Sequence, residues 1–247
     1  MRGNVLVLTV CSSLWRISID IIWPYLSLYV MALGGEYETI GQVMAVGNLA
    51  SMLLYPLGGY IADYQGRIKV MAYMTYVYAF TFLIFVFTES WIWVAVGMFM
   101  QSLVTFYIPA MQALMADSIP ADKRGIGFAA TMAIPGAFGV ASPLIGGWLI
   151  DQIGIKTAIK GLYGAGFFAA LLVATLRLKY LKEVREASGP GLNITVGRVP
   201  GLVWESYKDM IRTVRGASSS LIRYSLLVMA TTFVVSMVSP FWIIRAT

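Results

Sequence analysis

Seven stretches of this sequence, at roughly residues 4–32, 40–62, 70–88, 91–116, 126–150, 160–180 and 219–244, are long and apolar enough to cross a bilayer. A spanning helix takes about 20 mostly apolar residues. In lipid the backbone has no water to bond to, so such segments must be helices, and the strict alternation of a β-barrel strand is missing. Composition agrees: 59% of the residues are hydrophobic and 12% charged, about half the charge a soluble domain uses to hold its surface in water. The sequence predicts an all-α, polytopic transmembrane bundle. The first apolar stretch runs to about Met31, beyond the ~7–15 residues of a signal-peptide core.

The segments between these stretches alternate in charge. Arg67 and Lys69 follow the second, and Lys123 and Arg124 the fourth. Arg177, Lys179, Lys182, Arg185, Arg198, Lys208, Arg212 and Arg215 follow the sixth. The opposite connections hold Glu36 and Glu38, then Glu89, then Asp151 with Lys156 and Lys160. The positive-inside rule then places the N-terminus and segment 181–218 in the cytoplasm of a plasma-membrane protein, and the C-terminus outside. This asymmetry accounts for the formal charge of +6 without nucleic acid as a partner. Cys11 is the sole cysteine and His is absent, which excludes an intrachain disulfide and removes the commonest metal ligand; no metal site and no cofactor are expected.

Residues 186–201 are rich in Gly, Pro and Ser and read as a linker. Beyond them Val203, Tyr207, Met210, Ile211 and Val214 recur at helical spacing opposite Glu205, Lys208, Asp209, Arg212 and Arg215. This is an amphipathic helix over 202–215, suited either to the membrane surface or to solvent. Asn193-Ile194-Thr195 fits the glycosylation pattern by chance if that segment is cytoplasmic.

One phrase occurs twice. Pro56-Leu57-Gly58-Gly59 with Asp63, Gly66 and Lys69 returns as Pro143-Leu144-Ile145-Gly146-Gly147 with Asp151, Gly154 and Lys156. The copies lie three helices apart at opposite ends of the predicted bundle, as inverted three-helix repeats would place them.

The segment Gly59-Tyr60-Ile61-Ala62-Asp63-Tyr64-Gln65-Gly66-Arg67-Ile68-Lys69 resembles the loop 2–3 signature of the major facilitator superfamily, with Tyr64 in place of a basic residue and the last basic residue shifted to Lys69. Ala113-Leu114-Met115-Ala116-Asp117, then Pro120 and Lys123-Arg124-Gly125, is similar to that family's helix 4–5 connection. The resemblance implies an N-terminal six-helix half built from 3+3 inverted repeats over residues 1–183, a linker over 184–218, and a seventh helix within 219–247. It also implies a conformational gate in which Gly59, Asp63, Gly66, Arg67, Asp117 and Arg124 take part and Asp117 pairs with Arg67. Pro143, Gly146 and Gly147 resemble part of the antiporter signature of helix five, a hinge, although Phe138 and Ser142 stand where that pattern has glycine. No charge falls between Gly97 and Ala113, where many proton-coupled members carry an arginine.

Thr9, Ser13, Arg16, Asp20 and Ser27 form a polar stripe on the first helix. Arg16 and Asp20 fall near mid-membrane, where an isolated charge costs at least about 2.5–3.5 kcal/mol. They either neutralise each other, or Asp20 carries a proton while Arg16 tunes it or holds an anionic group. Asn48, Gln101 and Tyr107, along with Gln42, Ser102 and Thr105, are further candidates for contacting substrate. Trp23-Pro24 is expected to bend the first helix. Gly164-x-Gly166-x-x-Ala169 matches a dinucleotide fingerprint on paper, but it lies in an apolar span, and no phosphate-binding Gly-x-x-x-x-Gly-Lys-Ser/Thr occurs.

Secondary, non-enzymatic transport of a small molecule by alternating access is therefore expected, proton-coupled as symporter or antiporter, with efflux favoured over uptake. The alternatives are a truncated, inactive membrane fragment, or a half-transporter that needs a second half or a homodimer partner. Besides the solute, the lipid bilayer is the expected partner.

Overall fold

A computed structural model describes residues 3–184 and 199–241, apart from the side chains of residues 53, 59–65, 199 and 240. Most of the linker and the Asn193 pattern lie outside the described residues, as do the surroundings of Gly59 and the side chains of Asp63 and Tyr64. The helices are α1 (Asn4–Asp20), α2 (Leu26–Ala32), α3 (Tyr37–Gln65), α4 (Arg67–Phe87), α5 (Trp91–Val104), α6 (Ile108–Ser118), α7 (Arg124–Ile153), α8 (Ile155–Tyr180), α9 (Val199–Arg215) and α10 (Ser219–Val238). Among the described residues they make seven candidate spans: α1 with α2, α3, α4, α5 with α6, α7, α8, and α10.

The first and fourth spans are both broken. In the first, Pro24 has no N–H, and Tyr25 N–H turns back to the Ile22 carbonyl in a 3-10 turn over Trp23–Tyr25. In the fourth, a 3-10 turn over Thr105–Tyr107 separates α5 from α6, with Pro109 opening the new helix.

The repeated phrase sits against these breaks. A Cβ on Gly146 of α7 would overlap the carbonyl oxygen of Ile21, and one on Gly58 of α3 would overlap that of Phe106. The close approach of a helix to a carbonyl at a broken helix end recurs in both copies, a geometry that Cα–H···O contacts favour. The packing follows the same symmetry. α1 lies along α7 as α5 lies along α3, while α4 and α8 pack on each other; exchanging spans one to three with four to six leaves this pattern unchanged.

Lipid is as apolar as leucine, so shape complementarity and dispersion hold the bundle together. Trp15, Tyr78, Phe82, Phe85 and Tyr163 interlock at its centre, with Trp15 edge-on to Tyr78 at 4.8 Å and Phe85 stacked on Tyr163 at 4.3 Å between centroids. The chain ends group as alternating spans require. At one end Asn4 bonds Ser118 and both the N–H and the carbonyl of Lys182. At the other, Lys160 meets Glu89. Outside the bundle α10 buries none of its residues.

Candidate functional site

The mid-span charges of α1 form an ion pair. Arg16 Nη1 lies 3.4 Å from Asp20 Oδ2, as one helical turn dictates. The two differ in exposure: the arginine side chain is 56% exposed and the aspartate 21%. Asp20 is turned against α7 at Gly139, where a Cβ would overlap the carboxylate. Position 139 was not singled out from sequence, because only the packed pair of helices shows that a larger residue there would displace the Asp20 carboxylate. Asp20 thus sits at the α1–α7 seam one residue before the Ile21 break.

Asn48 lies on α3, Gln101 on α5 and Tyr107 in the 3-10 turn of the fourth span. Asn48 is exposed on α3. Gln101 is buried with its amide nitrogen lacking a hydrogen-bond partner. Tyr107 is buried, and its ring carries the Arg177 guanidinium at 5.5 Å. Among the described residues, a cleft of about 390 Å³ is lined by Leu83, Ile84, Phe87, Thr88 and Trp93, and one of about 290 Å³ by Lys208, Ile211, Arg212 and Arg215; neither includes these candidates.

At the end that holds the N-terminus, Gly66 takes φ +88°, a left-handed value, and turns the chain from α3 into α4. The next residue, Arg67, is nearly buried, and its Nη1 donates to Asp117 Oδ2 at 2.5 Å. Glu183, two residues past Leu181 at the exit of α8, accepts from the Ile68 N–H at 2.7 Å, a carboxylate at the positive end of a 21-residue helix. Its part was not legible in sequence, since it comes from residues over a hundred positions away. Arg124 opens α7 and is exposed, with no ion-pair partner among the described residues.

Helix α7 runs unbroken through Pro143. The Pro143 carbonyl accepts from the Tyr25 hydroxyl at 2.8 Å, and Gly146 and Gly147 leave room for the Tyr25 ring. In this conformation the segment read as a hinge is continuous helix, against which the broken first span packs.

Arg177 differs from its expected place. It belongs to α8, not to a basic loop, and is 2% exposed. Side chains lean toward a helix's N-terminus, and here that direction leads into the bundle.

At the opposite end, Lys160 Nζ donates to Glu89 Oε1 at 2.5 Å. The hydrogen bond from Lys160, with its charge and that of Lys156, holds the Glu89 carboxyl below the usual range.

Comparison with known proteins agrees with this architecture. The family model of the Major Facilitator Superfamily matches residues 8–246, and the chain belongs to that superfamily. It is an integral membrane protein of a transporter family. It is 26% identical over 172 residues to the multi-drug resistance efflux pump PmrA of Streptococcus pneumoniae, covering 67% of this chain and 42% of the pump. It is 28% identical over 190 residues to the multidrug resistance protein MdtG of Serratia proteamaculans, covering 74% and 44%. The chain spans less than half the length of these relatives. Among solved structures, it matches the human organic anion transporter MFSD10 (TETRAN) with a TM-score of 0.62 at 15% identity, over 80% of this chain and 52% of that one. It matches the peptide transporter POT in complex with sulfate with the same TM-score at 19% identity, over 95% and 53%. At these identities the structural likeness shows the fold alone.

Proposed function

We propose that this chain supplies the first half, and one further span, of a proton-coupled secondary transporter that expels small organic solutes by alternating access. The Arg16–Asp20 pair is the observation that carries the reading. A charge inside a membrane is retained where it faces a cavity or a partner. Here an arginine more than half exposed lies beside a better-covered carboxylate at the seam of two helices. Asp20 takes up and releases the proton, and Arg16 holds its charge state and meets the solute. The likeness to a protein named as a multi-drug resistance efflux pump supports outward transport. The Arg67–Asp117 pair acts as the gate, with Asp63 and Arg124 nearby in sequence, and the end that holds it faces the cytoplasm because the basic segments gather there.

The test is dye transport in everted membrane vesicles that contain the chain together with its second half, energised by an imposed pH gradient and using fluorescent organic anions and cations in parallel. Protonophore-sensitive accumulation is expected, with loss in Asp20→Asn. Accumulation unaffected by protonophore would rule out proton coupling.

The bare surface of α10 favours a second reading within the first: the chain works opposite a second set of helices, from further sequence or from another copy. Light scattering in detergent separates the two sources. A dimer supports self-pairing, and a clean monomer points to a different second half.

A further inference from the structure

Arg177 is a buried cation without a carboxylate partner among the described residues. Its Nη1 donates to Thr75 Oγ1 of α4 at 2.7 Å, and its Nη2 lies 3.5 Å from Met111 Sδ of α6. The guanidinium carbon is 6.0 Å from the Trp15 ring of α1 and 5.5 Å from the Tyr107 ring at the fourth-span break. Cys11 of α1 lies beside the same group. The Nε atom is buried and has no acceptor. Hydroxyl and thioether dipoles and two π faces thus carry a charge that would otherwise be held by an acid. Only a guanidinium can serve all these directions, because its donors are planar and forked and its faces stack on rings.

The position of the cluster matters as much as its chemistry. Thr75 lies two turns from Arg67 on α4, and Met111 nearly two turns from Asp117 on α6. Spans three and four are therefore fastened at two depths: at the rim by Arg67–Asp117, and deeper by Arg177, which also takes in spans one and six.

We propose that Arg177 is a positioning residue that keeps spans one, three, four and six together as one block while the rim pair opens and closes. This rests on the alternating-access reading for its purpose, but not for its test. With Arg177 in place, the broken fourth span and the Arg16–Asp20 stretch of α1 keep their mutual geometry as the gate moves. Asp117 is then free to exchange partners without parting α4 from α6.

The sole cysteine provides the readout. Cys11 is fully buried beside Arg177, so its rate of alkylation by N-ethylmaleimide, in the full chain in lipid nanodiscs, reports parting of the block without any transport. Wild type and Asp117→Asn are expected to label slowly and within about twofold of each other. Arg177→Ala should label about tenfold faster or more, a factor that corresponds to ~1.4 kcal/mol in an opening equilibrium. Thr75→Val, which keeps the volume but removes the acceptor, should label severalfold faster. Arg177→Lys keeps the charge without the fork and should fall between wild type and alanine. Monodisperse gel filtration and unchanged helical circular dichroism identify the variants that remain folded. If Arg177→Ala is not among them, Arg177→Lys and Thr75→Val carry the test. Wild-type protection in every folded Arg177 and Thr75 variant would overturn the proposal. So would labelling of Asp117→Asn as fast as theirs, since the rim pair would then hold the block. Absence of solute transport with this labelling pattern intact would count against the transport reading and leave the block standing.

Discussion

Gly146 of α7 lies so close to the carbonyl oxygen of Ile21 that no β-carbon fits between them. Gly58 of α3 stands in the same relation to Phe106. In each repeat unit, a glycine from the Pro-Leu-Gly phrase meets the point where a neighbouring span leaves the α-helix. The repetition seen in sequence is therefore the repetition of one packing contact.

Gly146→Ala and Gly58→Ala are each expected to destabilise the bundle by about 1–3 kcal/mol, the cost of overpacking a close helix contact. Backbone oxygens are what a methyl would displace, and they cannot rotate away. Thermal unfolding in detergent measures this, with Gly161→Ala, where a β-carbon meets open space, as the neutral control. Equal melting temperatures for all three variants and wild type would remove the contact's importance.

Asp117→Asn replaces the acceptor of the charge-assisted bond from Arg67 with a neutral one. Bonds to charged groups contribute about 1.5–3 kcal/mol, and the Asp117 side chain is 30% exposed, so the lower part of that range applies. If the pair is the gate, maximal transport velocity falls at least tenfold while the solute concentration for half-maximal rate changes little. Initial-rate measurements over a range of solute concentrations check this. A changed half-maximal concentration at unchanged velocity would instead place Asp117 in solute binding.

The Glu89–Lys160 pair gives a pH dependence at the other end of the bundle. Lys160 lowers the folded-state pKa of Glu89, so the pair's contribution is full above the ordinary glutamate value near 4.3. It is lost as pH falls through the depressed folded value. Wild type should lose melting temperature between neutral pH and the region below 4, and Glu89→Gln should lose less over the same interval. An identical pH profile for the two proteins would show the pair to be thermodynamically silent.

Much of the fold is written in the sequence because lipid imposes a simple rule on it. Among the described residues seven helices are long and apolar enough to span, one for each apolar stretch, and Pro24 marks the first break because it lacks an N–H. The break at Thr105–Tyr107 was less legible: Pro109 follows it, but a proline in a first helical turn is also compatible with an unbroken start. Arg177 was misplaced for a different reason. A basic residue near the end of a span reads as a flanking charge, and only the lean of its side chain and its aromatic neighbours show that it turns inward. The ring of Tyr107 lies under the Arg177 guanidinium, a contact between distant helices that its place in the sequence does not reveal. Gly139 and Glu183 depend on contacts between helices distant in sequence, which periodicity does not encode.

Coupling of solute movement to protons through Asp20 is read out by proton flux. The chain, together with its second half if light scattering shows a need for one, is reconstituted into liposomes enclosing a pH-sensitive dye. A solute gradient is then imposed with no initial pH gradient. The proposal predicts solute-driven proton movement in wild type and none in Asp20→Asn, with the variant still folded. Proton movement of equal size in Asp20→Asn would contradict it.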